Sequence, residues 1–138
     1  MMEWQITSAA VGGAPRLLLR LEGLCVFAGA LLAFVAIGGA TVLGLGWPLL
    51  ALLFFTPDLS MLAYLAGPRA GAAIYNAAHA YVGPVALGAP GLYAGEPRAL
   101  ALAVLWTAHI GIDRALGYGL KYPTAFGDTH LGRIGRAS

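Results

Sequence analysis

The chain has 138 residues, of which 59% are hydrophobic and only 10% are charged, and its formal net charge is +2. A soluble domain carries about 25% charged residues, so the composition excludes an ordinary soluble protein and predicts one integral membrane domain over 1–138. The basic residues flank apolar runs instead of forming a stripe, which argues against nucleic-acid binding. The single cysteine, Cys25, excludes an internal disulfide.

The hydropathy pattern predicts an all-α, polytopic membrane protein with four transmembrane helices in a compact bundle. A bilayer requires about 20 residues per helix, and the apolar runs are of about this length. In the first span, Gly29 and Ala33 form a small-xxx-small pair that would let another helix approach. After a short leader, the spans are expected at about 17–37, 47–66, 70–87 and 99–116, followed by a cytoplasmic tail over 117–138.

Proline and glycine predict where these spans are interrupted. The second span contains Thr56-Pro57-Asp58, a helix-start signature with a capping hydroxyl, so the span is expected to be broken or kinked at Pro57. Pro84 is expected to bend the far half of the third span. Residues 38–46 are predicted to form a glycine-rich turn, and residues 90–98 a loop.

The distribution of basic residues predicts the topology. Four spans place both termini on one side of the membrane, and the positive-inside rule selects that side. Of the eight basic residues only Arg98 falls on the opposite face, which predicts that both termini are cytoplasmic. The others share one face: Arg16, Arg20, Arg69, Arg114, Lys121, Arg133 and Arg136.

Polar side chains are concentrated in the cytoplasmic half of the predicted bundle. Helix periodicity places His109 and Asp113 on one face of the fourth span, and Asn76 and His79 on one face of the third. An intramembrane carboxylate is costly unless it faces a partner, an ion or water. The members of this set are Glu22, Asp58, Asn76, His79, His109 and Asp113.

Imidazole and carboxylate groups in one bundle suit a divalent transition metal such as zinc, iron or manganese. The predicted ligands are Asp58, His79, His109 and Asp113, with Glu22 as a further ligand or general base. An open coordination position would give hydrolytic chemistry. Around these ligands Asn76, Lys121 and, if the tail folds back under the bundle, Asp128 and His130 are possible contributors.

The same residues also permit a purely structural polar cluster. Asp113 would then pair with Arg114 or Lys121, or form one hydrogen-bonded pair with His109 that holds two helices together. Glu22 would pair with Arg16 or Arg20. A pathway for protons or small solutes is a third interpretation, since intramembrane ionisable residues often mark such pathways.

Two stretches resemble a family of small bacterial inner-membrane proteins known only as a domain of unknown function. They read FTPDLSMLAYLAGPRAGAAIYNAAHAYVGP and AHIGIDRALGYGLKYPTAFGDTHLGRIG, and the resemblance extends from Leu17 to Gly135. It implies four membrane helices and the bacterial inner membrane, but no activity. The family's polar motif positions would be Asp58, Asn76, His79, His109, Asp113, Lys121, Asp128 and His130. The spacing of His109 and Asp113 is also weakly similar to membrane-bound metal-dependent hydrolases.

Three functions are therefore expected as candidates. The first is a membrane enzyme with a metal site, such as a hydrolase of lipids or amphipathic substrates. The second is a non-enzymatic accessory, scaffold or homo-oligomeric subunit of a membrane complex, which could use His79 or His109 to bind haem or a chlorophyll-type pigment. The third is a small proton or cation transporter that acts as an oligomer, motivated by the broken second span.

Overall fold

The computed structural model describes residues 10–134 and is mostly helical. The predicted leader before residue 10 and Arg136 of the predicted tail lie outside the described residues. A 3₁₀ helix spans Thr56–Ala66, and a two-stranded antiparallel hairpin follows the last α-helix. The other elements are α1 Gly13–Ala36, α2 Gly39–Leu43, α3 Trp47–Phe54, α4 Pro68–His79, α5 Val82–Ala94, α6 Pro97–Leu116, β1 Asp128–Thr129 and β2 Gly132–Arg133.

Three helical segments in the described residues are long and apolar enough to cross a membrane. They are Gly13–Ala36, Trp47–Ala66 and Pro97–Leu116. The helical, apolar character that the sequence predicts is therefore confirmed. The break in the second span also occurs, because α3 ends at Phe54 and the 3₁₀ helix begins at Thr56.

The predicted third span over 70–87 is not one helix. Helix α4 ends at His79, Ala80 is extended, and α5 begins at Val82. Pro84 has no N–H to donate to the carbonyl of Ala80, so the helix cannot continue through this point without losing a bond and crowding that carbonyl. Pro84 therefore does not bend one long helix; the chain divides into two short helices before it.

The predicted loop over 90–98 and the predicted turn over 38–46 are also partly wrong. Helix α5 continues through Pro90 to Ala94, and α2 occupies part of the glycine-rich turn. Gly88 and Gly91 of α5 lie directly against Ala103 and Ala99 of α6. This close packing holds the α5 backbone in place although Pro90 removes one bond of its ladder.

Helix α6 is the centre of the molecule, flanked by α1 and α5. A Cβ atom at Gly111 would lie 2.7 Å from the Phe27 nitrogen and one at Gly23 would lie 2.8 Å from the Ala115 nitrogen, so α1 and α6 touch through their backbones. The predicted approach at Gly29 is wrong within the described chain, since nothing there lies within 4 Å of a Cβ at that position. The close contact occurs two turns earlier instead.

The predicted tail is an ordered cap over one end of the bundle. Its hairpin pairs Asp128 with Arg133 and Thr129 with Gly132, and Lys121 forms an isolated bridge with Thr129. The N–H of Val11, just before α1, donates to the carbonyl of His130 at 2.8 Å. Both ends of the described chain therefore lie at the same end of the bundle.

Candidate metal centre

Two histidines and two aspartates meet at one point, and each contributes one atom within 4.8 Å of the others. Nε2 of His79 lies 3.3 Å from Oδ1 of Asp58 and 3.4 Å from Oδ2 of Asp113. Nε2 of His109 lies 3.4 Å and 3.5 Å from the same two oxygens. The two Nε2 atoms are 3.2 Å apart. The structure thus brings together all four predicted ligands.

The break in the second span positions Asp58. Pro57 cannot donate to the carbonyl of Leu53, and the hydroxyl of Thr56 donates to it instead at 2.7 Å. The sequence predicts that Thr56 caps the second half-helix, but the N-cap position is Phe55 and the Thr56 hydroxyl bonds to the end of α3 instead. The N–H of Asp58 donates to the carbonyl of Phe55 at 3.0 Å, which begins the 3₁₀ helix.

The 3₁₀ geometry aligns three side chains on the inner face. Residues three apart eclipse one another in a 3₁₀ helix, so Asp58, Met61 and Tyr64 form one row. Asp58 and Met61 line the cavity described below, and the ring of Tyr64 packs on Gly71 of α4. In an α-helix the same row would rotate away from α4. The 3₁₀ form therefore keeps Asp58 on the same face as Met61 and Tyr64.

His79 is the last residue of α4, and the hydrogen bond of its Nδ1 determines the protonation of its Nε2. Nδ1 lies 2.9 Å from the carbonyl of Tyr75, which can only accept, so Nδ1 carries the proton and Nε2 is left with a lone pair. The ring of Tyr75 stacks on the imidazole at 3.8 Å. The carbonyl of His79 accepts a bond of 2.9 Å from Arg114. His79 is therefore held rigidly with Nε2 towards the cluster.

Helix α6 supplies the other two groups from one face. His109 and Asp113 are four residues apart, and Phe54 and Phe55 pack edge-on against the His109 ring. Nδ1 of His109 is buried and makes no hydrogen bond of standard geometry. The acceptor beside it is the backbone of Phe54. Both histidine side chains are 1% exposed, whereas Asp113 is 14% and Asp58 is 32% exposed.

Five of the six distances between these four atoms suit a tetrahedral metal ion. Bonds of 2.0–2.1 Å to zinc imply distances of about 3.3–3.4 Å between ligand atoms, and the five distances above run from 3.2 to 3.5 Å. The sixth, between the oxygens of Asp58 and Asp113, is within 4.8 Å. A proton bridges only two of the four atoms, whereas a cation at their centre contacts all of them. The two carboxylates carry two negative charges and the neutral imidazoles carry none, so a divalent cation would balance the charge of the cluster.

A cavity of about 290 Å³ opens onto the cluster from the side of the tail. Asp58 and Asp113 line it together with Lys121 of the tail. Its remaining wall is largely aromatic and apolar, formed by Met61, Tyr75, Tyr118, Phe126 and Ile134. The two carboxylates are therefore reachable by a small molecule, while the histidines are not.

Two further residues from the sequence prediction lie around the site. The side-chain amide of Asn76 donates to the carbonyl of Lys121 at 2.8 Å and accepts from its N–H at 2.6 Å. Asn76 therefore ties the tail to α4, rather than one helix to another. Lys121 itself is buried and faces the cavity.

The other predicted residues lie away from the cluster. Glu22 is exposed on α1 and is not part of the four-residue group. The tail does fold back, but Asp128 pairs with Arg133 at 3.7 Å and His130 accepts from the N–H of Leu120. These two side chains shape the hairpin, so neither reaches the cluster.

The sequence did not predict a role at the site for the aromatic and sulfur side chains around it, above all Tyr75 and Met61. Tyr75 precedes His79 by one helical turn, a spacing that would have predicted a shared face. Met61 follows Asp58 by three residues, which is informative only once the helix is known to be 3₁₀. Phe126 lies in the tail, where no periodicity was present to guide a prediction.

Comparison with known proteins identifies the family but no function. No curated protein and no solved structure was found to match the chain. Residues 16–134 match a family described as a domain of unknown function (DUF4260). This match covers the described structure from the first turn of α1 to the hairpin, including all four residues of the cluster, and the chain therefore belongs to this family.

Proposed function

We propose that this protein is a membrane-embedded, zinc-dependent hydrolase that acts on an amphipathic substrate. The observation that carries the proposal is that five of the six ligand-to-ligand distances suit a tetrahedral zinc ion. Four protein ligands alone would be typical of a structural zinc, but the cavity favours an enzyme, because a water or substrate in it could replace the partly exposed Asp58 and leave three protein ligands, as in catalytic zinc sites.

The residues of the cluster have separate roles in this proposal. Zinc, when bound, supplies a Lewis acid and an activated water at neutral pH. His79 and His109 hold it from the buried side, and the Tyr75 carbonyl keeps His79 in the required tautomer. Asp58 is the most exposed ligand; its contacts run through Oδ1, which leaves Oδ2 to accept a proton from a water in the cavity.

The surface of the molecule supports a place in the bilayer. Leu32, Leu52 and Leu65 of the candidate spans are each well over half exposed, and such apolar surface is suited to lipid. We propose that α4 and α5 together form the fourth crossing. We also propose that both termini are cytoplasmic, because Arg16, Arg20 and Arg133 lie at the end of the bundle where the described chain begins and ends. The bacterial inner membrane is part of this proposal.

The pigment-binding alternative is not supported by the site. An axial histidine needs space for a macrocycle beside it, but the Nε2 atoms of His79 and His109 are 3.2 Å apart and both are occupied with two carboxylates. An oligomeric proton or cation transporter is a second candidate. It is favoured by the segment Trp47–Ala66, which has no buried residue and leaves room for another copy to pack on it.

Elemental analysis of the detergent-purified protein tests the metal centre. We expect about one equivalent of zinc in the wild type, and its loss in His109→Ala. His130→Gln is the matched control, because His130 is the histidine outside the cluster and its replacement should leave zinc in place. Protein that folds normally and takes up no transition metal would exclude the proposal.

Hydrolysis is tested separately on the same samples. Chelator-reversible cleavage of ester substrates by wild type and His130→Gln, but not by His109→Ala, is the expected result. Bound zinc without any hydrolysis would reduce the site to a structural one. Cation or proton uptake by reconstituted vesicles, abolished in Asp58→Asn, would instead support the transporter.

A further inference from the structure

The tail carries a buried cation that none of the roles above uses. Lys121 is 4% exposed, and its ammonium lies 3.5 Å from the ring centroid of Phe126 and 4.7 Å from that of Tyr75. One of its three N–H donors reaches the carbonyl of Phe126 at 2.7 Å. Among the described residues no carboxylate lies within ion-pair distance of it. The remaining donors are therefore available to a ligand.

The position of Lys121 is fixed by its own backbone. Asn76 binds both its N–H and its carbonyl, and the bridge with Thr129 holds it from the other side. Thr129 is 2% exposed, so this part of the tail is as well buried as a protein core. A lysine held in this way is a preorganised group, unlike a surface lysine that moves freely in solvent.

Lys121 shares its cavity with two ligands of the proposed metal centre, Asp58 and Asp113. The carboxylate of Asp113 is close enough to oppose the lowering of the Lys121 pKa that burial causes. A bound divalent cation would balance the charges of the two aspartates. The ammonium of Lys121 would then give the cavity a net charge of one positive unit. A volume of about 290 Å³ lies at the lower end of ligand sites, so the cavity suits a small group.

We propose that this cavity binds the phosphate group of a phosphoester, with one oxygen directed to the metal and another bound by Lys121. The proposal rests on the metal centre of the proposed function. A tetrahedral dianion matches two cations that share the lining of a small cavity. The aromatic wall then accommodates the apolar part next to the phosphate. The same chemistry is offered by a lipid headgroup and by a free phosphate ester.

Calorimetric titration of the zinc-loaded, full-length protein with inorganic phosphate tests the site. We expect saturable binding in the wild type, weakened about tenfold or more in Lys121→Met, because a charged hydrogen bond in a buried site is lost. Lys121→Arg, which keeps the charge, should retain most of the binding. Arg133→Met is the control: it removes the same charge from the exposed face of the hairpin and should change nothing.

The outcomes separate the two proposals. Wild-type protein that takes up no zinc overturns the metal centre and the phosphate site together. The phosphate site alone is overturned if the zinc-loaded wild type and zinc-loaded Lys121→Met bind phosphate equally well. It is also overturned if the wild type binds phosphate equally well before and after zinc is removed. Zinc content and protease resistance of the tail, unchanged in Lys121→Met, exclude misfolding as the cause of lost binding; if this variant misfolds, loss of binding in a folded Lys121→Gln carries the same conclusion.

A second arm identifies the source of the phosphate. Wild-type protein in phosphatidylcholine nanodiscs is titrated with inorganic phosphate, with and without phosphatidic acid in the same discs. Competition by phosphatidic acid supports the site and assigns a lipid headgroup. Competition by soluble glycerol phosphate alone supports it and assigns a free ester. If neither phosphatidic acid nor glycerol phosphate competes with inorganic phosphate, the phosphoester site is overturned.

Discussion

His79 and His109 face each other through their Nε2 atoms at 3.2 Å, in a place where each side chain is 1% exposed. Nε2 of His79 has no proton to offer, because its Nδ1 donates to the Tyr75 carbonyl. The short contact therefore needs either a proton on Nε2 of His109, which would satisfy the two rings alone, or a cation, which would also balance the two carboxylates. Metal content should consequently influence the stability of the whole bundle.

Removal of zinc is expected to lower the thermal stability of the wild type. A ligand present at about 100 times its Kd stabilises the folded state by about 2.7 kcal/mol, so chelation should give a clear fall in Tm. The measurement is thermal unfolding in detergent with added zinc or with chelator. His109→Ala should lose this difference and His130→Gln should keep it. An identical Tm in both conditions for the wild type would argue that the cluster binds no metal.

Asn76→Ala is expected to release the tail. It removes two hydrogen bonds to the backbone of Lys121, which together contribute about 1–3 kcal/mol. Limited proteolysis should then cut within 118–134, while zinc content stays unchanged. Asn76→Asp keeps the acceptor for the Lys121 N–H but loses the donor, so its cleavage rate should be intermediate. A tail equally resistant in all three proteins would show that Asn76 does not hold it.

Gly111→Ala is expected to separate α1 from α6. The new methyl group would lie 2.7 Å from the Phe27 nitrogen, a backbone atom that cannot move away alone, and overpacking of this kind costs about 1–3 kcal/mol. The free energy of unfolding in detergent is the measurement. Gly29→Ala is the control on α1, because open space surrounds that position and alanine favours a helix over glycine. Equal stability of the two variants would contradict the close contact.

Acid is expected to loosen the hairpin through His130. The Leu120 N–H donates to Nδ1 at 2.8 Å, which requires an unprotonated nitrogen. Burial and the charge of Arg114 lower the pKa of His130 and outweigh the opposing effect of the Leu120 backbone. Because the folded pKa lies below the unfolded one, this contribution is fully present above about pH 6.5 and is lost as the pH falls below that value.

Hydrogen exchange of the Leu120 amide, corrected for its intrinsic rate, measures this effect in metal-free protein. Protection should fall between about pH 7 and pH 5 in the wild type. His130→Gln supplies an acceptor that does not titrate, so its protection should be independent of pH in this range. The same pH dependence in both proteins would assign the effect to another group.

The convergence of Asp58, His79, His109 and Asp113 was predictable because intramembrane charges must face one another and helical spacing restricts where they point. The division of residues 70–87 was not, since Pro84 can either bend a helix or end it, and the deciding contacts come from Arg114 and neighbouring residues of α6. The placement of Glu22 depends on the rotation of α1. The close contact at Gly23 sets that rotation, and several small residues of α1 offered an alternative.

The tail was the least predictable part. Asn76 binds the backbone of Lys121, and backbone groups leave no pattern in a sequence. The 3₁₀ form of Thr56–Ala66 was equally hidden, because Pro57 predicts an interruption but not the helix type that follows it.

The order of the four ligands along the chain has a consequence for biosynthesis. Asp58 and His79 are made first, but α6, which contributes His109 and Asp113, follows both. An intermediate with only the earlier helices inserted therefore holds half a coordination sphere and exposes two uncompensated polar groups. If the proposed metal centre forms, metal acquisition would follow the folding of α6 onto the earlier helices, and occupancy of the centre would report that the bundle has been assembled.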